Sequence, residues 1–356
     1  MWSRVPRYSH LIWSQNSDVF GLSDLCSRAT TPKTYPELRA FIEKERPDWL
    51  QALVPRRINA PSEYWPQKVL ALATIQAALS NQVMQDAGLK PDATFVMVEC
   101  QTGHLLQFDV PTFYVSKELL AASARTDLPD NTFLDAVPFP FPASVFMFPK
   151  GTIRHPSEGE CPYIVVSRVA KGQVFPLPLK DVTFTTTAAD NSIVVSTYLP
   201  DECRSYHKSI NVVSGETMKN AFERASAVPF EIPGRRLSDT EDIIANTDAD
   251  FMDRLWLLGI TLVFIMASGE NLLERGVRLK SVKPKNQADQ PVEYWSPNYL
   301  GRVYQAETEG GDLESHQRPH WRKGHLKSQP HGPRLSLRKI IWIQPYRTGH
   351  REEKKT

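Results

Sequence analysis

Apolar positions recur along this chain with two different periods, and the changes of period predict where helices give way to strands. Within residues 63–87, Val69, Leu72, Ala73, Ile75 and Leu79 lie three or four apart, an apolar stripe on one helical face. Gly88 supplies a C-terminal cap and Pro91 follows. Upstream, residues 1–60 are rich in proline and arginine and predict one short helix. Pro36 sits in its first turn, ELRAFIEKE follows, and Pro47 stops it. The middle of the chain reads as strands. TFVMVEC (94–100) and LLQFD (105–109) flank QTGH, a hairpin-like connection that makes His104 a turn residue. ASVFMF, PYIVVSRV, DVTFTTT and NSIVVSTYL are further β-branched or aromatic runs bounded by Pro, Gly and Asp. VPFPFPASVFMFPKG holds four prolines. Proline cannot donate to a ladder, so this stretch is an edge strand or an extended approach to one.

Further along, SGETMKNAFERASA predicts a helix opened by Ser214, whose hydroxyl caps the first turn while Glu216 favours the positive end of the dipole. Residues 239–268 begin with acids, DTEDIIANTDADF, which suit a helix start, and run into LWLLGITLVFIMA at 255–267. They form one long helix or two, with Trp256 and Phe264 in the core. Residues 280–291 are a polar, proline-bearing linker, 299–305 (YLGRVYQ) a strand, and 307–314 an acidic, glycine-containing loop. There is no internal repeat. Strands followed by helices without regular βαβ alternation give an α+β class: a mixed, mostly antiparallel sheet packed with several helices, with a basic C-terminal segment ending in a strand. The expected divisions are an arm at 1–60, a core at 61–311, and a basic segment at 312–356 docked on the core.

Composition adds bounds. With 356 residues, 41% hydrophobic and 23% charged, the chain is neither disordered throughout, nor collagen-like, nor a disulfide miniprotein. Cys26, Cys100, Cys161 and Cys203 are widely spaced and form no CxxC pair, which suits a reducing cytoplasm. The N-terminal stretch lacks an apolar run of signal-peptide length, so a cytoplasmic location in a bacterial host is expected. The most apolar run, thirteen residues at 255–267, spans roughly 20 Å as a helix, short of the ~30 Å hydrocarbon core, and predicts a buried helix rather than a membrane span.

Charge changes the picture more. The net charge is only +2, yet residues 316–351 hold nine Lys/Arg, five of the nine His, and no acid. The rest of the chain carries 33 basic against 40 acidic groups, a net of −7. The candidate chemistry therefore lies in RPHWRKGHL, a Pro/Gly loop QPHGPR, and LRKIIWIQP. Arg318, Arg322, Lys323, Lys327, Arg338 and Lys339 suit phosphates. Trp321 and Trp342 can stack on bases, and His320 and His325 can donate to phosphates and change charge near neutrality. Ile340, Ile341 and Ile343 indicate a strand packed on the body. His320, His325 and His331 have no Cys or carboxylate at a ligand spacing, so no metal and no cofactor is expected. P-loop, dinucleotide, GxSxG, HExxH and kinase signatures do not occur.

The pattern RPHWRKGH…GP…LRKIIWIQP resembles a family of phage and plasmid proteins ending in a Pro-His-Trp-Arg-Arg-Gly-His-Trp-like motif, a short loop and a basic aromatic strand. That family includes the type V-A anti-CRISPR inhibitor of effector-nuclease production. Arg318, Pro319, His320, Arg322, Gly324, His325, Lys339, Trp342 and Pro345 fall on the motif, while Leu326 stands where an aromatic residue is expected. The resemblance implies a non-enzymatic binding protein that recognises a nascent effector polypeptide and lowers effector production. RNA or the ribosome would then be the natural partner of the basic segment. Two other readings stand beside it: a metal-independent ribonuclease or RNA-binding protein using the same His/Arg segment, and a structural mobile-element protein. The peptide-binding residues and the oligomeric state are not carried by the motif.

Overall fold

The runs ASVFMF, PYIVVSRV and NSIVVSTYL supply three strands of a seven-stranded sheet, one face of which packs on one long apolar helix. In a computed structural model, residues 56–59, 61–65, 110–128, 132–155, 159–172, 190–199, 204–226, 248–268, 270–282, 292–304, 320–322, 324–333 and 337–348 are described. The strands of the large sheet are β2 (Thr112–Val115), β4 (Ala143–Met147), β5 (Tyr163–Val169), β6 (Ser192–Leu199), β7 (Arg204–Asn211), β8 (Leu273–Glu274) and β11 (Asn298–Leu300). Their spatial order is β7-β6-β5-β4-β2-β11-β8. β4 through β7 form an antiparallel meander; β2 runs parallel to both β4 and β11, and β8 closes the far edge antiparallel. A three-stranded sheet joins β1 (Arg56–Ile58), β10 (Val292–Trp295) and β9 (Arg278–Val282). With helices α1 (Lys117–Ala124), α2 (Met218–Ala225) and α3 (Asp248–Ser268), this is a mixed, mostly antiparallel α+β fold.

Alternation along the strands supplies two cores. One face of the sheet, with Phe113, Phe146, Ile164, Val166, Ile193 and Val195, packs on α3. The other face, with Tyr114, Val145, Met147, Tyr163 and Val165, is covered in part by Ile58, Tyr64 and Trp65. The Tyr64 hydroxyl donates to the Val115 carbonyl at 2.8 Å, which ties that cover to β2. α3 is buried over nearly its whole length, including Trp256 and Phe264, and is a core helix as its composition predicts. At its middle Gly259 leaves no room for a side chain: a Cβ there would lie 2.9 Å from Val166 and 3.1 Å from Val195. The missing side chain lets the helix axis come close to the sheet.

Several expectations shift. α2 begins at Met218, not near Ser214. Ser214 and Gly215 form a turn, with Gly215 at φ 75°, and Thr217 is the cap, accepting from the Asn220 amide at 3.3 Å. Glu216 stays outside the helix and bonds Arg224 at 2.8 Å. β11 ends at Leu300 because Gly301 turns the chain at φ 80°, so residues 301–304 are not strand. Residues 280–282 belong to β9, and antiparallel β9 and β10 bracket what remains of the expected linker. The proline-rich run is the extended approach: β4 lies inside the sheet, paired on both sides. The short helix after Pro36, most of the 63–87 stripe, the strands around His104, DVTFTTT and the acidic loop lie outside the described residues.

Candidate nucleic-acid interface

The basic segment forms two strand pairs. β13 (Gly324–His331) and β14 (Leu337–Ile343) make an antiparallel hairpin, and β13 adds in parallel to β3 (Thr126–Asp127) at the end of α1. β12 (His320–Arg322) pairs with β15 (Tyr346–Thr348). Directly paired residues share a face, so the register sorts the segment into two rows. One row pairs Leu326 with Trp342 and Ser328 with Ile340. The other pairs His325 with Ile343, Lys327 with Ile341 and Gln329 with Lys339.

The first row docks on the body. Leu326 is buried, and Ile340 and Trp342 pack against the main core. The Trp342 indole donates to the Thr126 hydroxyl at 3.1 Å, and Thr126 in turn donates to the Ala122 carbonyl at 2.9 Å in the last turn of α1. The Trp342 ring also lies 5.6 Å from that of Tyr304. Gly324 is required by space: a Cβ there would meet both Pro345 and the Thr126 hydroxyl at 2.8 Å. Three residues of the sequence motif, Gly324, Trp342 and Pro345, thus hold the hairpin to the body. Leu326, the position that departs from the motif, faces the core as well.

The second row faces outward. His325, Lys327 and Gln329 are exposed, with Ile341 and Ile343 half-buried between them. The register puts Lys339 in this row and Arg338 in the docked one, opposite Pro330. His320, Trp321 and Arg322 lie in β12, next to Thr348, Arg347 and Tyr346. Arg318 and Lys323 lie outside the described residues. The structure therefore exposes His325 and Lys327 on one surface, puts Lys339 in the same row by register, and gives Trp342 a packing role in the opposite, docked row.

Sequence reasoning passed over two register partners of the candidate residues. Arg347 is the register partner of Trp321, and the acid-free run already contained it. Asp127 is the register partner of His325, and no spacing signal connects positions about 200 residues apart. No group of three or more His, Cys, Asp or Glu arranged to hold a metal occurs among the described residues.

A protein-family model described as AcrVA2-like, anti-CRISPR type V subtype A2 family, matches residues 113–349. No curated protein and no solved structure matches the chain. The matched stretch runs from β2 past β15, so it takes in the large sheet, helices α1 to α3 and the basic hairpin, about two thirds of the sequence. The chain belongs to the AcrVA2-like family of type V-A anti-CRISPR proteins.

Proposed function

We propose that this protein acts in the bacterial cytoplasm by lowering production of a type V-A effector nuclease. It recognises the nascent effector polypeptide and touches the message–ribosome complex through its basic hairpin. Membership of the family carries the first part. The outward row of His325, Lys327 and, by register, Lys339 carries the second, since cations on a rigid surface neutralise phosphates while a docked hairpin holds their spacing. The body beneath carries a net negative charge, so polyanion contact is confined to this segment.

Two measurements test it. In cells making a type V-A effector, the chain should reduce effector protein, and Lys327→Glu with Lys339→Glu should restore it. In filter binding with RNA, affinity should fall steeply with salt, and each Lys→Ala should reduce the slope of log K against log salt by about one unit. An unchanged slope in both single variants removes the RNA part.

One observation favours a second reading, a metal-independent ribonuclease. Asp127 and exposed His325 are neighbours in parallel register, a placement in which a carboxylate can orient an imidazole acting as a base. Cleavage of labelled RNA by the purified chain, unaffected by chelator and lost in His325→Ala, would establish it. Intact RNA at high protein concentration would remove it.

A further inference from the structure

The strands β13 and β14 contain a single Trp, Tyr or Phe, which is Trp342, and its ring is turned onto the body. Its indole N–H is spent on the Thr126 hydroxyl, and the ring lies 5.6 Å from that of Tyr304. Arg338, the only arginine of the two strands, falls by register in the same docked row. The outward row is made of other chemistry. His325, Lys327 and Gln329 are exposed along β13, opposite Ile343, Ile341 and Lys339 of β14.

The spacing of this row is fixed by the strands. Alternate residues of β13 stand roughly 6.8 Å apart, and Lys339 lies diagonal to Lys327 at about 7–8 Å. Two lysines and two side chains that both donate and accept, the imidazole and the amide, thus share one face. Unpaired RNA is held mainly through its splayed bases, stacked on aromatic rings or on arginine planes. The outward row offers neither. Paired RNA hides its base faces and presents phosphates and 2′-hydroxyls across a wide, shallow groove. Lys327 and, by register, Lys339 suit the phosphates, while Gln329 and His325 suit the hydroxyls. An extended acidic peptide laid on this face would find no main-chain partner, because strand N–H and C=O groups lie in the plane of the sheet.

We infer that the outward row of the hairpin binds the backbone of base-paired RNA, through phosphate and 2′-hydroxyl contacts and without reading sequence. This deepens the proposed RNA contact of the hairpin and rests on it. A DNA duplex carries the same phosphates without the hydroxyls, and the experiment separates the two sources.

The probes are a fluorescein-labelled RNA duplex of about 16 bp, an unstructured RNA strand of equal length, and a DNA duplex of the same sequence. Each is followed by anisotropy with the full chain at one salt concentration. The RNA duplex should bind at least fivefold more tightly than either of the others, and RNA duplexes of unrelated sequence should agree within twofold. Its slope of log K against log salt should be about −2 to −3, as for two or three phosphates. Gln329→Ala should cut the preference for RNA over DNA duplex at least threefold, with the salt slope and Tm unchanged, because that side chain is exposed and uncharged. Equal or tighter binding of the unpaired strand overturns the assignment. So do equal binding of the DNA duplex, a tenfold dependence on sequence, and displacement of the RNA by poly-glutamate at equal charge. If paired and unpaired RNA bind alike, the duplex assignment falls and the RNA contact of the hairpin stands. If no RNA binds in any form, that contact falls and takes the assignment with it. If the duplex preference holds while effector production is unchanged, the assignment stands and the proposed function falls.

Discussion

Glu216 takes two hydrogen bonds from the Arg224 guanidinium, and these hold its carboxyl below the usual glutamate range. A group with a depressed folded pKa stabilises the fold above its ordinary value, and that contribution is lost as pH falls through the folded value. The pair is at the surface, so the effect is small. Glu216→Gln should cost about 0.2–1 kcal/mol at pH 7 and less as the pH is lowered, as read by urea unfolding across that range. Cys161 is a contrast. It is wholly enclosed, and burial pushes its thiol up to about 12. Alkylation at pH 8 should leave the Cys161 peptide unmodified in the native protein and label it after denaturation, as read by mass spectrometry. At this scale the sequence showed which residues carry charge, but not which way they face. Leu326 looked like a break in a stacking motif. Its burial shows instead that the position belongs to the docked row, where an apolar side chain serves. The role of Gly324 was equally hidden, because it depends on Pro345 and on Thr126 about 200 residues away.

Among the elements, α3 was the most legible, since a thirteen-residue run whose one polar member is Thr261 admits little but a buried helix. What its pattern concealed is the charge at its start. Asp250 bonds Arg254 at 3.0 Å within the core, and Asp253 pairs with Lys208 of β7 at 2.7 Å. Of the acids read as dipole partners, Asp250 and Asp253 are buried ion-pair members, with partners in the next turn and on a strand, while Asp239, Glu241 and Asp242 lie outside the described residues. Helix and strand boundaries were less legible for a local reason. Thr217 and Gly301 set the ends of α2 and β11 through backbone angle and capping geometry, which the apolar period does not encode. The close approach at Gly259 makes a direct prediction. Gly259→Ala gains roughly 0.5–1 kcal/mol of helix propensity. It loses more, about 1–3 kcal/mol, by pressing a methyl against Val166 and Val195. The net result should be a lower midpoint in denaturant with an unchanged slope.

For the whole molecule, the class and the strands β4, β5 and β6 of the meander could be read from the β-branched and aromatic runs, whereas β7 (RSYHKSIN) and the order of strands could not. The parallel pairings of β2 with β4 and β11 join segments with unlike patterns, and only the folded chain brings them together. The attachment of the hairpin belongs to this scale too. Trp342→Ala removes the bond to Thr126 and the contact with Tyr304, and should cost about 2–4 kcal/mol. Hydrogen exchange should then quicken in β13 and β14 well before it does in β5 and β6, because the hairpin opens as a unit. The same variant should weaken RNA binding without altering any exposed cation.

The strand β11 has a consequence for how this protein is made. It completes the sheet beside β2, and Asn298 donates to the Thr112 carbonyl across 186 positions of sequence. While the chain is still being synthesised, β2 leaves the ribosome long before its neighbour exists and waits with one edge open. At roughly 5–20 residues per second, that wait lasts about 10–40 s. The sheet can close only once Asn298–Leu300 has been made, and non-local closure of this kind makes folding slow. This member of an anti-CRISPR family thus passes through an extended period with an open sheet edge during its own synthesis.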